Sequence, residues 1–219
     1  MKILILGATG RTGLLIVEEA LKQGYDLNVL VRDKNKISFS SKSIKVYQGT
    51  PTRRTDLAAA MQGCDLIISA LGIVRASDAP WSKLITAKNF ISESIKNAIA
   101  EADQQGLKRL ITVSAWGVGE TKKEIPFWLR WLINYTNLRT VYAEHESQEK
   151  LLANSNLNWT AVRPVALNDS QKIKTGNRLI FWRKPYSEEK FKIKKEGMKE
   201  ILLSNNQRFL KNITSPSLQ

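Results

Sequence analysis

The sequence is poor in the residues that build disulfides and metal sites, with one cysteine, Cys64, and one histidine, His145. A single cysteine excludes an internal disulfide and suits a reducing compartment. No cluster of side chains has metal-ligand spacing, so no metal is expected. No Ser-His-Asp arrangement points to nucleophilic catalysis either.

Long apolar runs are absent as well. No stretch approaches the roughly 20 apolar residues of a membrane span. The run that follows Lys2 is too short for a signal peptide, and glycines interrupt it where the apolar region should continue. We therefore expect a soluble cytoplasmic protein that has no membrane as a partner.

Positive charge is in excess: 34 Lys and Arg against 20 Asp and Glu give a formal net charge of +14. Residues 171–219 carry twelve Lys and Arg against four Glu, which is +8 of that total. Such a charge fits nucleic acid or phosphorylated small molecules as ligands. Because charge runs are usually solvated, we expect a basic surface there rather than a nucleic-acid site.

The chain is organised around its first thirteen residues, MKILILGATGRTG. Ile3 to Leu6 form an apolar run typical of a strand buried on both faces. Three glycines spaced G-x-x-G-x-x-G follow, and then an amphipathic stretch predicts a helix from Leu14 to Gln23. This order predicts anion capture, because backbone N–H groups and the positive end of the helix dipole face a phosphate. The alternative is an ordinary strand-to-helix turn.

The rest of the chain alternates between predicted strands and helices. Strands are predicted at Leu27–Val31, Ile44–Tyr47, Asp65–Leu71, Lys108–Ser114 and Leu157–Val162, and more weakly at Leu179–Trp182 and Phe209–Ile213. Helices are predicted at Asp56–Gln62 after an N-cap at Thr55, from Pro80 or Trp81 to Gln105, at Arg139–Ala153 and at Gly197–Leu203.

This alternation predicts an α/β fold, a doubly wound parallel sheet of the Rossmann type with strand order 3-2-1-4-5-6. A chain of 219 residues can bury one sizeable core, so we expect a single domain over residues 1–219. Periodicity weakens past Pro164, and residues 164–219 are predicted to form a small, partly irregular C-terminal extension.

Two arginines lie where this fold meets the adenosine ribose of a dinucleotide. Arg32 is the first residue after the second predicted strand, and Arg11 lies in the glycine turn. A basic residue after this strand accommodates a 2′-phosphate, whereas an acidic one binds the 2′-hydroxyl. Two guanidiniums suit a phosphate dianion, so the sequence favours NADP(H) over NAD(H). The preference weakens if Asp33, and not Arg32, faces the ribose.

The segment after the fifth predicted strand is rich in aromatic residues at helical spacing. Pro126 opens the run FWLRWLINY, and Trp116, Phe127, Trp128 and Trp131 lie in or near it. Such a pattern most often reflects packing in the core or between helices. Its place in the chain also suits a substrate lid or a partner interface.

The chain resembles the short-chain dehydrogenase/reductase superfamily, and within it the atypical NmrA-like, biliverdin reductase B or flavin reductase-like branch. The resemblance covers about residues 1–164. It is carried by GATGRTG at Gly7–Gly13, VLVRD at Val29–Asp33, ISALG at Ile68–Gly72, TVSAWG at Thr112–Gly117 and EHESQEKLLANSNLNWTAVRP at Glu144–Pro164.

The resemblance implies an NAD(P)-binding Rossmann domain whose last portion helps to shape a substrate pocket. It also implies that the glycine loop holds the pyrophosphate and that the arginine after the second strand meets the adenosine phosphate. The cofactor-binding residues implied are Gly7, Thr9, Gly10, Arg11, Thr12, Gly13 and Arg32, with Ala70, Leu71, Gly72, Ser114, Pro164 and Val165 on the nicotinamide side.

The Tyr-x-x-x-Lys pair of the superfamily is not in its expected place. Tyr142 lies on the helix before the sixth strand, but Glu146 stands four residues on, so no lysine lowers the pKa of the tyrosine. Tyr186 and Lys190 have the right spacing, but they lie beyond the sixth strand, and that match is most simply chance.

The candidates for catalysis are Ser114, Tyr142 and His145. Ser114 ends a strand beside the expected nicotinamide and offers a hydrogen bond to substrate or cofactor. In the resembling branch a histidine or lysine often stands where His145 does, and it would donate a proton or hold the ribose. The alternative is a surface or capping histidine.

Two functions remain open. The first is an NADPH-dependent oxidoreductase, a monomer or weak homodimer that transfers hydride to a small conjugated acceptor such as a flavin or quinone. The second is a non-catalytic NAD(P)-sensing regulator, which the missing lysine and the NmrA-like resemblance favour. A sugar-nucleotide epimerase or dehydratase is disfavoured, because those reactions depend on the absent tyrosine and lysine pair.

Overall fold

Strands and helices alternate along the chain in this computed structural model, which describes residues 1–37, 39–164 and 179–183. The strands are β1 (Lys2–Leu6), β2 (Asp26–Val31), β3 (Ile44–Gln48), β4 (Leu66–Ser69), β5 (Arg109–Val113), β6 (Asn158–Pro164) and β7 (Leu179–Arg183). The helices are α1 (Arg11–Lys22), α2 (Arg54–Met61), α3 (Phe90–Gln105), α4 (Phe127–Tyr135) and α5 (Leu138–Ala153), with short 3-10 turns at Lys34–Lys36 and Gly119–Lys123.

The strands form one sheet in the order β3-β2-β1-β4-β5-β6-β7. The first six are parallel, so the predicted order 3-2-1-4-5-6 is confirmed. The strand predicted near Leu179 is also confirmed, and it pairs antiparallel with β6. Several predictions lie outside the described residues: Val165, the Tyr186 and Lys190 pair, the elements at Gly197–Leu203 and Phe209–Ile213, and the rest of the C-terminal extension.

Alternate side chains of the central strand β1 enter two separate apolar cores. Leu4 and Leu6 pack on one face of the sheet with residues of α2, α3 and α5, while Ile3 and Ile5 pack on the other with residues of α1. All four are fully buried. A strand covered on both faces needs a continuous apolar run, and this places the end of β1 at the centre of one sheet edge.

The long third helix begins at Phe90, so its predicted start at Pro80 or Trp81 is wrong. The residues before it pair instead with the segment that follows β4. The Ile85 N–H, for example, donates to the carbonyl oxygen of Val74 at 2.8 Å, and Arg75 and Leu84 form an antiparallel bridge. Backbone groups engaged in this way are not available to a helix.

The predicted N-cap of α2 at Thr55 is also wrong, because that helix begins two residues earlier than predicted, at Arg54, with Arg53 at the cap position. The acid of its first turn bonds outside the helix. Asp56 Oδ2 accepts the N–H of Thr50 at 3.0 Å and so ties the end of the β3 turn to α2.

Helix α3 begins against a carboxylate that comes from α5. Glu144 Oε2 accepts the N–H groups of Ile91 and Ser92, each at 2.9 Å, and the Ser92 hydroxyl donates to Glu144 Oε1 at 2.9 Å. A negative charge at this end of a helix is stabilising, because it meets the positive end of the helix dipole. The contact fixes the two helices that cover the same face of the sheet.

A buried arginine ties β6 to α5 and to the turn after β5. Arg163 is 1% exposed, and its guanidinium donates to both carboxylate oxygens of Glu149 and to Glu120 Oε2. The distance from Arg163 Nε to Glu149 Oε1 is 2.9 Å. A charge buried this deeply is stable only when it is paired and hydrogen-bonded, and both conditions hold here.

Removing the charge of Arg163 should lower the free energy of unfolding far more than removing the charge of Glu120, its exposed partner. We expect Arg163→Gln to lower the free energy of unfolding by about 3–5 kcal/mol, because Glu149 then stays buried without a counter-ion. Glu120→Gln is the matched control, and it should cost less than about 1 kcal/mol because the Glu120 side chain is 56% exposed. Urea denaturation followed by circular dichroism measures both values, and equal losses would contradict this account.

Candidate functional site

The loop between β1 and α1 brings three stretches of backbone too close together for side chains. Gly7 has a φ of +82°, and a Cβ on it would lie 2.5 Å from the carbonyl oxygen of Ala70, just after β4. A Cβ on Gly13 would lie 2.0 Å from the carbonyl oxygen of Gly7. The packing of the protein itself therefore requires both glycines.

Gly10 and Gly72 differ from these, because the surrounding described atoms do not require a glycine. Gly10 has an extended backbone, with φ −84°, and a Cβ on it would make only an ordinary contact, 3.4 Å from the Gly7 carbonyl oxygen. A Cβ on Gly72 would have no described atom within 4 Å. Gly10 thus has one described neighbour within 4 Å and Gly72 has none, and both positions leave the room that a ligand lying against the backbone needs.

Helix α1 begins beside this open space, at Arg11. The first turn of an α-helix has N–H groups without partners inside the helix. Gly10 at the cap position of α1 has no side chain to accept from them, and the first turn contains no acidic residue. N–H groups and the positive end of a helix dipole next to open space form an anion site, so the loop fits a pyrophosphate.

Three side chains are predicted to discriminate between a phosphate and a hydroxyl on the ribose: Arg11 at the start of α1, and Arg32 and Asp33 just after β2. The Arg11 guanidinium meets Asp78 at 3.4 Å, and both side chains are largely exposed. Arg32 is exposed and lies over the Phe90 ring, 6.0 Å from its centroid. Asp33 Oδ1 accepts the backbone N–H at position 35 at 3.0 Å, so this carboxylate caps its own 3-10 turn.

The other predicted cofactor-binding residues come to one edge of the sheet, because the strands that carry them are parallel. Residues 70–72 follow β4, Ser114 follows β5 and Pro164 ends β6. Thr9 and Thr12 lie on either side of the turn into α1; Thr9 is exposed and Thr12 half-buried. The contacts of these residues with a cofactor stay predictions.

Ser114 is held by an acid that sequence reasoning missed. Its hydroxyl donates to Glu149 Oε1 at 2.5 Å, and the same carboxylate is paired with the buried Arg163. The hydroxyl hydrogen is thus directed towards Glu149, and the lone pairs of the serine oxygen are left to accept. The motif that contains Glu149 and Arg163 was a signal for this contact, but the pairing itself depends on how α5 packs on β6.

His145 is buried, so the alternative of a surface histidine is wrong. The Gln148 amide nitrogen donates to the carbonyl oxygen of Val113 at 3.0 Å and contacts His145 Nδ1 at 2.9 Å. Since that nitrogen can only donate, Nδ1 accepts and Nε2 carries the ring hydrogen. Burial lowers the pKa of His145 to about 4, which keeps the ring neutral near pH 7.

Tyr142 borders a cavity of about 420 Å³ between the turn at 119–123, α4 and α5. Burial raises the pKa of Tyr142 above its ordinary value, so the phenol keeps its hydrogen. The cavity is lined by Gly117, Lys122, Ile125, Arg130, Ile133, Asn134, Tyr135, Arg139, Tyr142, Ala143 and Glu146.

Glu146 stands in this cavity where a lysine would complete the superfamily's catalytic pair. Lys150 Nζ lies 3.0 Å from Glu146 Oε1, and Lys122 Nζ lies 3.7 Å from Glu146 Oε2. The hydrogen bond from Lys150, together with the charge of Lys122, lowers the pKa of Glu146 and keeps it ionised. No cation therefore lowers the pKa of Tyr142 from this position.

The aromatic side chains of α4 do not pack in the core. Phe127, Trp128 and Trp131 are all more than half exposed, so the expectation of core or helix packing is wrong for these three. The substrate lid and the partner interface stay predictions. The helical pattern was correct, but spacing alone does not tell which side of a helix meets the rest of the protein.

In the part of the chain that the structure describes, no group of three or more His, Cys, Asp or Glu side chains could hold a metal ion. The helices of that part also include none that is long and apolar enough to cross a bilayer.

Comparison with known proteins identifies the family of this fold. The sequence profile of the NAD(P)H-binding family matches residues 7–202. The chain belongs to this family. The predicted resemblance is thereby confirmed, and the fold is that of NAD(P)-binding proteins of the Rossmann type.

Two relatives and one solved structure illustrate the likeness. An uncharacterised chloroplastic protein of Arabidopsis thaliana is 31% identical over 186 residues, which are 80% of this chain and 62% of that protein. The photosystem II assembly factor Ycf39 of Synechocystis is 27% identical over 164 residues, 74% of this chain and 44% of that protein. The chain thus spans less than two thirds of either relative.

A short-chain dehydrogenase/reductase of Veillonella parvula, solved in complex with NADP, superposes with a TM-score of 0.60. The match covers 80% of this chain and 74% of that chain at 18% identity. At this identity the likeness extends to the fold alone.

The two kinds of glycine in the loop give a matched pair of variants. We expect Gly10→Ala to fold with nearly unchanged stability but to weaken dinucleotide binding at least about tenfold, because the methyl group enters the space of the pyrophosphate. Gly13→Ala should instead lower the melting temperature clearly, because its Cβ meets the Gly7 carbonyl. Calorimetric titration and thermal denaturation separate the two effects. Unchanged binding in Gly10→Ala would contradict the assignment of the open space.

The single histidine allows a direct test of its burial. In an NMR titration the only histidine ring should titrate near pH 4 rather than near its ordinary pKa of about 6.5. Because the folded pKa is depressed, the protein should lose stability as pH falls below about 6.5, by about 2 kcal/mol at about pH 5. His145→Gln should flatten that decline. A ring that titrates above about pH 6 would show that His145 is solvated.

Proposed function

We propose that the protein is an NADPH-dependent reductase that transfers hydride to a small conjugated acceptor such as a flavin or quinone. The observation that carries the proposal is the room left at Gly10, where α1 begins with Arg11. When bound there, the nicotinamide cofactor supplies the hydride. The described residues supply binding, orientation and protons.

The glycine loop and the start of α1 would hold the pyrophosphate through backbone N–H groups. Arg32, with Arg11 nearby in the fold, would meet the 2′-phosphate of the adenosine ribose. The engagement of Asp33 with its own backbone supports this choice, because that carboxylate is already hydrogen-bonded. A guanidinium rather than a carboxylate then faces the ribose, and this favours NADPH over NADH.

The cavity beside Tyr142 is the proposed place of the acceptor. Its lining includes the phenol of Tyr142 and the cations Lys122, Arg130 and Arg139. Reduction of a conjugated acceptor by hydride also requires a proton, and a phenol that keeps its hydrogen can donate one. Without a neighbouring lysine the phenol is a weak acid, so an acceptor that needs little acid catalysis suits the site best.

A non-catalytic dinucleotide sensor is the second candidate. The occupation of the lysine position by Glu146, and the direction of the Ser114 hydrogen towards Glu149, favour it. A sensor would bind NADPH in the same loop, so binding does not distinguish the two functions. Turnover does: steady NADPH oxidation with any member of a panel of flavins, quinones and aldehydes supports the reductase.

The cofactor preference is tested by removing one charge. We expect the wild-type protein to bind NADPH more tightly than NADH, and Arg32→Ser to raise the Kd of NADPH about tenfold while that of NADH stays nearly constant. Arg53→Ser is the matched control, since Arg53 is also exposed but lies at the start of α2. Titration by tryptophan fluorescence measures the Kd of NADPH and of NADH for each of the three proteins. Tighter binding of NADH, or no binding of either, would contradict the proposal.

A further inference from the structure

Helix α4 turns aromatic side chains to solvent along one side. Phe127 is 82% exposed, Trp128 60%, Trp131 56% and Tyr135 74%. At 3.6 residues per turn these four lie within about 100° of arc, and the buried Ile133 lies on the opposite side. The rings of Trp131 and Tyr135 are neighbours, with centroids 5.4 Å apart. The helix is anchored by its aliphatic side and presents its aromatic side outwards.

The loop before α3 extends this surface. The side-chain amide of Asn137, just after α4, donates to the carbonyl oxygens of Trp81 and Ser82 at 2.9 and 3.0 Å. Trp81 and Ile85 are both more than 60% exposed. We define the aromatic face as Trp81, Ile85, Phe127, Trp128, Trp131 and Tyr135. Single exposed apolar side chains are ordinary, but a group of six that includes five aromatic rings is typical of a place of interaction.

Cations border the aromatic face. Lys122 and Lys123 precede α4, Arg130 lies on it and Arg139 lies in the first turn of α5; all four are exposed. Glu124 is the exposed acid of the same stretch. This excess of positive charge complements an anionic partner, whereas a second copy of the chain would bring another net charge of +14.

We propose that the aromatic face adsorbs to the surface of an anionic lipid bilayer. Trp and Tyr favour the headgroup region, because their rings have an apolar body and a polar edge. Lys and Arg beside them attract anionic lipids and extend their charged ends to the headgroups. Composition argued against a membrane partner only through the lack of a spanning segment, and adsorption needs none. The inference does not depend on the dinucleotide site.

Vesicle sedimentation with the full chain tests this inference. The wild-type protein should bind vesicles of phosphatidylcholine and phosphatidylglycerol, bind pure phosphatidylcholine much less, and lose binding at high salt. Its tryptophan emission should shift to the blue on binding. Trp128→Ser combined with Trp131→Ser should lower the partition coefficient at least about tenfold, because the inserted apolar area is lost.

A pair of charge variants provides the control. The double variant Lys122→Gln, Lys123→Gln should weaken binding to the anionic vesicles. The control double variant Lys22→Gln, Lys42→Gln should not, because Lys22 ends α1 and Lys42 precedes β3, so both lie near the amino ends of the strands. Circular dichroism checks that each variant is folded. Absence of vesicle binding by the wild type, binding to a soluble acidic peptide instead, or equal binding by the tryptophan variant would each overturn the proposal.

Discussion

The backbone at Gly7 is wedged between the end of β4 and the first turn of α1, with no room for a Cβ at either Gly7 or Gly13. This steric contact fixes where α1 starts relative to the sheet, and therefore where its positive end points. The space in front of Gly10 results from the same geometry. Within seven residues, two glycines serve the packing of the protein and the one between them leaves room for a phosphate.

A second constraint comes from α5, which packs on the face of the sheet opposite to α1 and has three polar side chains on its buried side. Glu144 caps α3, Gln148 bonds to β5 and His145, and Glu149 joins Ser114 to Arg163. Apart from the contact between Gln148 and His145, which lies within α5, these bonds connect α5 to α3, to β5 and the residue after it, and to β6, so the helix cannot move without breaking a buried polar contact. Ser114 and His145 are positioned by this layer, which also fixes the direction of their hydrogens.

Much of this architecture could be predicted from local pattern. The alternation of apolar runs and amphipathic stretches is a local feature, and it was sufficient for the sheet order 3-2-1-4-5-6. The phosphate loop that the glycine spacing predicts stays a prediction. The start of α3 was not predictable, because its cap, Glu144, is more than 50 residues away in the chain. The outward turn of Trp128 was missed for a similar reason: amphipathic spacing gives two sides of a helix, and only tertiary packing decides which side is covered.

The central claim is that the loop from Gly7 to Gly13 holds a pyrophosphate against backbone N–H groups. A crystal structure of the protein with NADPH tests it most directly. The account predicts pyrophosphate density against Gly10 and the first turn of α1, with the backbone of Gly7 unmoved and a guanidinium at the 2′-phosphate. A dinucleotide bound elsewhere, or a loop that closes over Gly10 and excludes the ligand, would contradict it.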